Sequence, residues 1–321
     1  MTVYSRARTE KLRETDFNLY FYIMLDFRLK VFHAVAKRLN FTRAAGELYI
    51  SQPAVTKHIK ALEREYGIQL FDRNGTRIQL TYAGELLLRS TEQIFEIYRK
   101  LETDLHALSG KHAGKLRIGA STTIANYILP RVLPGFRSAY PDVDIELLTG
   151  NTEQVEKFLR NKEADLGITE GFSKLPVLKY IPFIKDEIVL AGSAGHPVTG
   201  KGTIDLEELK ELPLLLREPG SGTLEVIAHA LGEARVKISD LNLVMQLSSS
   251  ESIKEYLLHS DCLAFLSVYI ILHELRNNTC SIIDVKGLEI ERYFYFVRLQ
   301  GQTDVLSGLF MDFALRYNYR L

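Results

Sequence analysis

One short predicted helix carries side chains of the types that read a nucleic acid duplex. The helix is predicted over residues 52–66, because Val55, Ile59 and Leu62 recur at i, i+4 and i+7 and form one apolar stripe. The opposite stripe offers an amide, a hydroxyl and two ammonium groups, which can contact base edges and phosphates in a major groove. The residues of this polar stripe are Gln52, Pro53, Thr56, Lys57 and Lys60.

A second set of polar side chains follows predicted strands in the C-terminal half and suits a small anion. Helix N-termini and backbone N–H groups converge at the carboxyl ends of strands in an open α/β sheet, where hydroxyl and guanidinium groups can hold a carboxylate or an oxyanion. Ser and Thr are also common helix caps, so a plain cap is an equal alternative for any single member. The candidate residues of this ligand site are Ser121, Thr122, Thr123, Thr149, Asn151, Glu170, Arg217, Thr223 and Ser249.

Two more helices are predicted ahead of the polar stripe. The second of these is predicted to have Thr42 as its N-cap, with the basic Arg43 beside it. Ser51 is predicted to cap the third helix, and Pro53 is tolerated in its first turn. The apolar face of the first helix comprises Phe27, Val31, Phe32, Val35 and Leu39.

A basic hairpin is predicted directly after the three helices. Apolar segments flank Asn74-Gly75, which is the strongest short hairpin signal, and Arg73 and Arg77 bracket the tip. Such a wing would contact the backbone or the minor groove of a duplex. Residues 26–81 hold ten Lys/Arg and five Asp/Glu, whereas the whole chain holds 40 of each. This local excess favours a polyanion-binding module, and the alternative is an ordinary three-helix bundle with a solvated basic face.

A single long helix is predicted over residues 82–109. It contains no proline, and Leu87, Ile94, Leu101 and Leu108 recur every seven residues. A seven-residue apolar repeat requires a partner helix, most simply the same helix of a second copy. The alternative is a long helix packed on its own domain.

The remainder alternates strand-like and helix-like segments. Strands are predicted at 115–119, 143–148, 164–169 and 188–191, and helices at 125–140 and 153–161. This order predicts an α/β fold with a mostly parallel sheet.

The N-terminal residues resemble the LysR-type transcriptional regulators. The matching stretches are FRLKVF at 27–32, LNFTRAA at 39–45 and SQPAVTK at 51–57, followed by Gly67, Arg73 and Gly84 at matching spacing. Weaker similarity continues through LRIG at 116–119 and DLGI at 165–168 to the C-terminus. The resemblance implies a winged helix-turn-helix domain, a dimerising linker helix and a two-lobed effector domain of the type II periplasmic-binding-protein kind. It also implies a dimer, usually a tetramer, that binds double-stranded DNA at an interrupted palindrome.

The expected organisation follows from these patterns and from the resemblance. Residues 1–23 have no counterpart in the family and are expected to be disordered, as either a natural extension or a consequence of the chosen start codon. The DNA-binding domain is expected at 24–81, the linker helix at 82–112 and the effector domain at 113–321. Within the effector domain, lobe 1 is expected at 113–187 and 291–321, and lobe 2 at 188–290.

Other functions find little support in the sequence. Gly195, Gly200 and Lys201 nearly complete a phosphate-binding loop, but Gly202 replaces the required Ser or Thr. No catalytic residue, metal ligand or cofactor is predicted, so an enzyme and a pure solute-binding protein are the lesser alternatives. Two cysteines and no apolar run long enough to span a bilayer favour a reduced, cytoplasmic protein that has no membrane partner.

Overall fold

The computed structural model describes residues 26–74, 77–108, 112–172, 174–302 and 304–317. The chain divides into two compact units, Met1–Leu101 and Glu102–Leu321, and each is described by itself. Residues 1–23, which were expected to be disordered, lie outside the described residues.

The first unit is a three-helix bundle followed by a hairpin and the long helix. Its elements are α1 (Phe27–Arg38), α2 (Phe41–Glu47), α3 (Gln52–Tyr66), β1 (Phe71–Asn74), β2 (Arg77–Leu80) and α4 (Tyr82–Leu108). Val31 and Phe32 of α1 are fully buried against Val55 and Ile59 of α3. The predicted winged helix-turn-helix fold is therefore confirmed, and the apolar stripe of α3 packs into its core.

The apolar face predicted for α1 is too wide. Phe27 and Leu39 are exposed, whereas Val31, Phe32 and Val35 are buried. Leu39 adopts the left-handed conformation at the end of the helix, with φ 46°, so its side chain leaves the helical face.

The caps of α2 and α3 differ in how well the sequence predicts them. The predicted cap Thr42 is wrong, because α2 begins at Phe41 and the Asn40 side chain accepts a hydrogen bond from Arg43 N at 2.9 Å. The predicted cap Ser51 is confirmed, since its Oγ accepts from Ala54 N at 3.3 Å.

The two strands of the predicted hairpin are confirmed, but Asn74, which was predicted in the turn, lies in the first strand. The strands pair antiparallel from Phe71 opposite Leu80 to Asn74 opposite Arg77. Asn74 therefore belongs to a strand, and the connecting Gly75 and Thr76 lie outside the described residues.

Helix α4 is confirmed as one continuous helix. Near its start, Leu87 and Leu88 pack on the core of the helical bundle. Further along, Ile94 and Leu101 stay 37% and 45% exposed. In the seven-residue repeat, Leu87 is thus partly buried on the bundle, whereas Ile94 and Leu101 are open to a partner; the Leu108 side chain lies outside the described residues.

The second unit is built on a mixed sheet, which corrects the prediction of a mostly parallel one. The first half contains β3 (Gly114–Ser121), α5 (Leu129–Ala139), β4 (Val143–Gly150), α6 (Thr152–Arg160), β5 (Leu166–Thr169) and β6 (Leu178–Ser193). The second half contains β7 (Thr203–Ile204), α7 (Leu206–Glu211), β8 (Leu214–Arg217), α8 (Gly222–Glu233), β9 (Leu243–Leu247), α9 (Ser250–Leu258), β10 (Leu263–Ser267), α10 (Val268–Arg276), β11 (Cys280–Val285), β12 (Ile290–Leu299) and α11 (Val305–Arg316). Strand pairs β3/β4, β3/β5, β8/β9 and β8/β10 are parallel, but β6 and β12 run antiparallel to their neighbours.

Two lobes share the long strand pair β6 and β12. The first lobe carries β3, β4 and β5 on a core that includes Ile118 and Phe294, and the second carries β8, β9 and β10 on a core that includes Leu216 and Phe265. The register of β6 and β12 shifts beside Pro182, a position where a missing N–H is tolerated. The carboxyl ends of the parallel strands of both lobes carry the predicted polar residues.

The helix predicted at 125–140 is divided in two. A π-helical turn, Ile124–Ile128, precedes α5. Pro130 has no N–H to donate to residue 126, so a widened turn forfeits no hydrogen bond there. Across the described part of the chain, none of the helices combines the length and the apolar character that a membrane span requires.

Candidate nucleic-acid interface and effector cleft

Helix α3 presents its predicted polar stripe to the surface. Gln52, Pro53, Lys57 and Lys60 are exposed and Thr56 is half-buried, whereas the opposite side of the helix is buried. Gln52 Nε2 donates to Thr56 Oγ1 at 3.1 Å. This contact orders the amide along the helix and leaves its oxygen and second N–H available to a base edge.

The other predicted DNA-binding residues surround α3. Ser51 is exposed while its hydroxyl caps the helix, and Thr42 and Arg43 are exposed on α2. Arg73 and Arg77 lie on β1 and β2 of the hairpin, and their side chains are outside the described residues.

Sequence reasoning missed one aromatic residue beside this interface. Tyr49, in the turn between α2 and α3, is 95% exposed and has φ 54°. A fully solvated aromatic ring next to a basic helix can contact a sugar or a phosphate oxygen. The sequence indicated this residue only as an aromatic side chain in a predicted turn, where it adds nothing to the apolar core of the helical bundle.

In the second unit, hydroxyl groups of the two lobes meet. Thr123 Oγ1 of the first lobe lies 3.2 Å from Ser250 Oγ of the second, and Thr122 Oγ1 lies 3.5 Å from it. Arg217 Nη1 donates to the same Ser250 Oγ at 2.9 Å. The structure therefore brings three predicted residues together around Ser250, which sequence reasoning missed because the neighbouring Ser249 looked like the better candidate.

Arg217 also pairs with the next residue in the chain. Its Nε and Nη2 donate to the two carboxylate oxygens of Glu218 at 2.9 and 3.1 Å. Asn151 Nδ2 of the first lobe donates to Glu218 Oε1 at 3.0 Å. The Asn151 side chain also caps α6 by accepting from Gln154 N, so one amide serves both as a helix cap and as a contact between the lobes.

A buried charged cluster lies where the lobes join. Arg292 of β12 donates from Nε to Asp186 Oδ2 of β6 at 2.7 Å and from Nη1 to Thr223 Oγ1 at 2.8 Å. Thr223 Oγ1 in turn donates to Glu170 Oε1 at 3.2 Å, and Ser267 Oγ donates to Asp186 Oδ1 at 2.6 Å. All five side chains are buried, so the predicted Glu170 and Thr223 belong to a charge network that spans both lobes.

Three predicted residues lie apart from these contacts. Thr149 is exposed at the end of β4, and Ser249 caps α9 by accepting from Ser252 N at 3.4 Å. Ser121 is buried at the end of β3, and its Oγ has no hydrogen-bond partner within the described residues.

Sequence reasoning missed Arg292 and Asp186, although β12 held a signal. Ile290, Arg292 and Phe294 occupy the buried positions of an alternating strand. A charged residue in phase with buried apolar neighbours indicates a buried partner of opposite charge. The partner lies 106 residues away along the chain and has no local signature.

Comparisons with known proteins identify both folded regions. The profile described as "Bacterial regulatory helix-turn-helix protein, lysR family" matches residues 27–85, and "LysR substrate binding domain" matches residues 109–318. The HTH-type transcriptional regulator CysL of Bacillus subtilis is 32% identical over 292 residues, which cover 91% of this chain and 97% of CysL.

Two solved structures show the same fold. The regulatory domain of CcmR from Synechocystis PCC6803, solved in complex with 2-PG, is 28% identical and aligns with a TM-score of 0.57 over 63% of this chain and 95% of that one. Full-length CbnR, complexed with its target DNA, is 20% identical and aligns with a TM-score of 0.65 over 91% of this chain and 99% of that one. The chain belongs to the LysR family of transcription regulators, with an N-terminal DNA-binding domain and a C-terminal ligand-binding domain.

Proposed function

We propose that α3 reads operator DNA in the major groove through Gln52, Thr56, Lys57 and Lys60. The observation that carries this is the division of α3 into a buried apolar stripe and an exposed polar stripe. Ser51, Pro53, Thr42 and Arg43 would flank the groove, and the hairpin with Arg73 and Arg77 would contact the backbone beside it.

We also propose that the protein acts as a dimer or a tetramer on an interrupted palindrome. Exposed Ile94 and Leu101 on α4 supply an apolar stripe for the same helix of a second copy. Two-fold symmetry then requires two half-sites separated by about one helical turn, roughly 34–36 Å, or a multiple of it.

Lys57→Ala tests the DNA interface. Operator duplexes selected from a random pool are titrated with the full chain, and binding is followed by fluorescence anisotropy at several salt concentrations. Lys57→Ala should weaken binding and reduce the salt slope by about 1, because one phosphate contact is lost. The matched control is Lys37→Ala on α1, where the ammonium group pairs with Glu92 at 2.7 Å. Equal loss in both variants would contradict the assignment of α3 as the reading helix.

We propose further that the cleft between the two lobes binds a small carboxylate or oxyanion. The support is the guanidinium group of Arg217, which donates to Ser250 Oγ at 2.9 Å. The same Ser250 Oγ lies 3.5 Å from Thr122 Oγ1 and 3.2 Å from Thr123 Oγ1 of the first lobe. CcmR, which was solved with 2-PG, offers a relative whose corresponding domain holds a small ligand. The predicted residues Ser121, Thr149, Glu170, Thr223 and Ser249 are secondary candidates for this site.

Thr122→Ala tests the ligand site. Inorganic phosphate and 2-PG are titrated into the full chain by calorimetry, and operator affinity is measured in parallel. The variant should bind these anions more weakly while its ligand-free affinity for operator stays unchanged. Unchanged anion affinity would remove Thr122 from the site.

Regulation then requires only that anion binding between the lobes changes the affinity of the protein for operator DNA, and it involves no chemical reaction. If an effector changes operator affinity by some factor, operator must change effector affinity by the same factor. Anion affinities measured with and without operator duplex check this equality.

A further inference from the structure

The carboxylate of Glu218 occupies the position that a ligand anion would need. Its two oxygens receive three N–H groups, from Arg217 Nε, Arg217 Nη2 and Asn151 Nδ2, at 2.9, 3.1 and 3.0 Å. Two of these donors belong to the second lobe and one to the first. Paired donors from a guanidinium group are the usual geometry for recognising a carboxylate or a phosphate.

We propose that Glu218 is an internal substitute for the anionic group of the effector, and that the effector binds by displacing it. This rests on the proposed function, because it assumes that the cleft binds an anion. Two negative charges cannot share one guanidinium group without strong repulsion, so an incoming anion and the Glu218 carboxylate exclude each other. The donor arrangement selects a ligand group with two oxygens at the spacing of a carboxylate, such as a carboxylate, a phosphate or a sulfate.

The surroundings allow Glu218 to leave while Arg217 stays. The Arg217 side chain is 2% exposed, and that of Glu218 is 20% exposed. Arg217 is also held by Ser250 Oγ at 2.9 Å and by the Ser248 carbonyl at 3.3 Å. A rotation of the Glu218 side chain therefore moves its carboxylate towards water and exposes a guanidinium group that remains in place.

The contact between the lobes also survives the exchange. Glu153 N donates to the Gly220 carbonyl at 3.2 Å, and Thr123 stays next to Ser250. The displacing anion would accept from Asn151 in place of Glu218 and so bridge both lobes itself. Replacing the Glu218 carboxylate with a bound anion therefore changes the strength of the hydrogen bond that Asn151 makes across the lobes.

Replacing Glu218 should strengthen anion binding, which is the opposite of the usual effect of a substitution in a binding site. Glu218→Gln keeps the shape and removes the charge, and Glu218→Ser also removes the amide that could still block Arg217. Inorganic phosphate and 2-PG should bind about tenfold more tightly to both variants, because the competing charge-assisted hydrogen bonds are gone. The matched control is Glu255→Gln, which removes an exposed carboxylate from α9 of the same lobe.

The measurement is calorimetric titration of the full chain with each anion, with circular dichroism to verify folding. Tighter binding in both Glu218 variants and unchanged binding in Glu255→Gln support displacement. If wild type binds the anions and the folded Glu218 variants bind them equally or more weakly, displacement is wrong while the ligand class stands. An equal gain in Glu255→Gln also overturns it, since the effect would then be general charge. If no variant binds either anion, the proposed ligand class fails, and displacement fails with it.

Discussion

Loss of Arg292 should destabilise the C-terminal domain strongly, because it would leave buried carboxylates without a counter-charge. The side chains of Arg292 and Asp186 are 2% and 0% exposed, and Glu170 lies next to them. Arg292→Met keeps much of the volume and removes the charge. Breaking one partner of a buried pair destabilises by about 3–5 kcal/mol. For a domain of this size, roughly 2–4 °C per kcal/mol gives a fall in melting temperature of about 6–20 °C.

Differential scanning calorimetry of the full chain measures this fall in the transition of larger enthalpy, since residues 102–321 form most of the chain. The control is Lys185→Met, which breaks the pair between Lys185 and Glu291 on the same two strands. That pair is 2.7 Å long but 55% and 60% exposed, so its loss should change stability by about 0–1 kcal/mol. Burial implies a larger fall in melting temperature for Arg292→Met than for Lys185→Met. If the melting temperatures of the two variants differ by less than about 3 °C, the argument from buried charge is refuted.

Three further changes test other parts of the structure. Gly222→Ala would place a Cβ 2.0 Å from the Glu170 carbonyl oxygen, so we expect weaker anion binding and a lower melting temperature. The control is Gly232→Ala on the same helix, whose Cβ meets open space, so its melting temperature should be unchanged or slightly higher. Leu101→Glu puts a charge into the exposed stripe of α4, and light scattering after size exclusion should show a smaller oligomer; an unchanged mass would place self-association elsewhere. Burial raises the pKa of Glu156, so the wild-type protein loses stability as pH rises through that pKa. The melting temperature of Glu156→Gln, measured relative to wild type, should therefore increase from about pH 4 to about pH 7. A difference that does not change with pH would contradict this.

The DNA-binding domain was readable from the sequence because its signals are local. The apolar period of α3, the Ser51 cap and the hairpin each involve residues within one or two turns of one another. The error at the start of α2 is equally local, since Asn40 and Thr42 are both common N-caps. Asn is the stronger N-cap of the two, which favoured the residue that the structure uses.

The candidate ligand site between the lobes was predicted only in part, because the hydrogen bonds that form it join segments far apart in the sequence. Hydroxyl residues after strands are visible in any α/β sequence, and Thr122, Thr123 and Arg217 were found in this way. No local pattern pairs Arg292 with a carboxylate 106 residues earlier in the chain. The role of Glu218 likewise depends on Asn151, which the fold brings within hydrogen-bond distance from 67 residues away.

The charges of the cleft and of the strands that join the lobes explain why Glu218 is the group that must move. Two guanidinium groups, Arg217 and Arg292, are in contact with three carboxylates, Glu218, Asp186 and Glu170. An added anion would therefore enter a region that already has an excess of negative charge. Asp186 and Glu170 are almost fully buried, so expelling either would disrupt the join between the lobes, whereas Glu218 can reach water by a side-chain rotation. A neutral ligand would leave Glu218 on Arg217 and gain nothing from the guanidinium group, so the charge of the ligand and the position of Glu218 must be coupled.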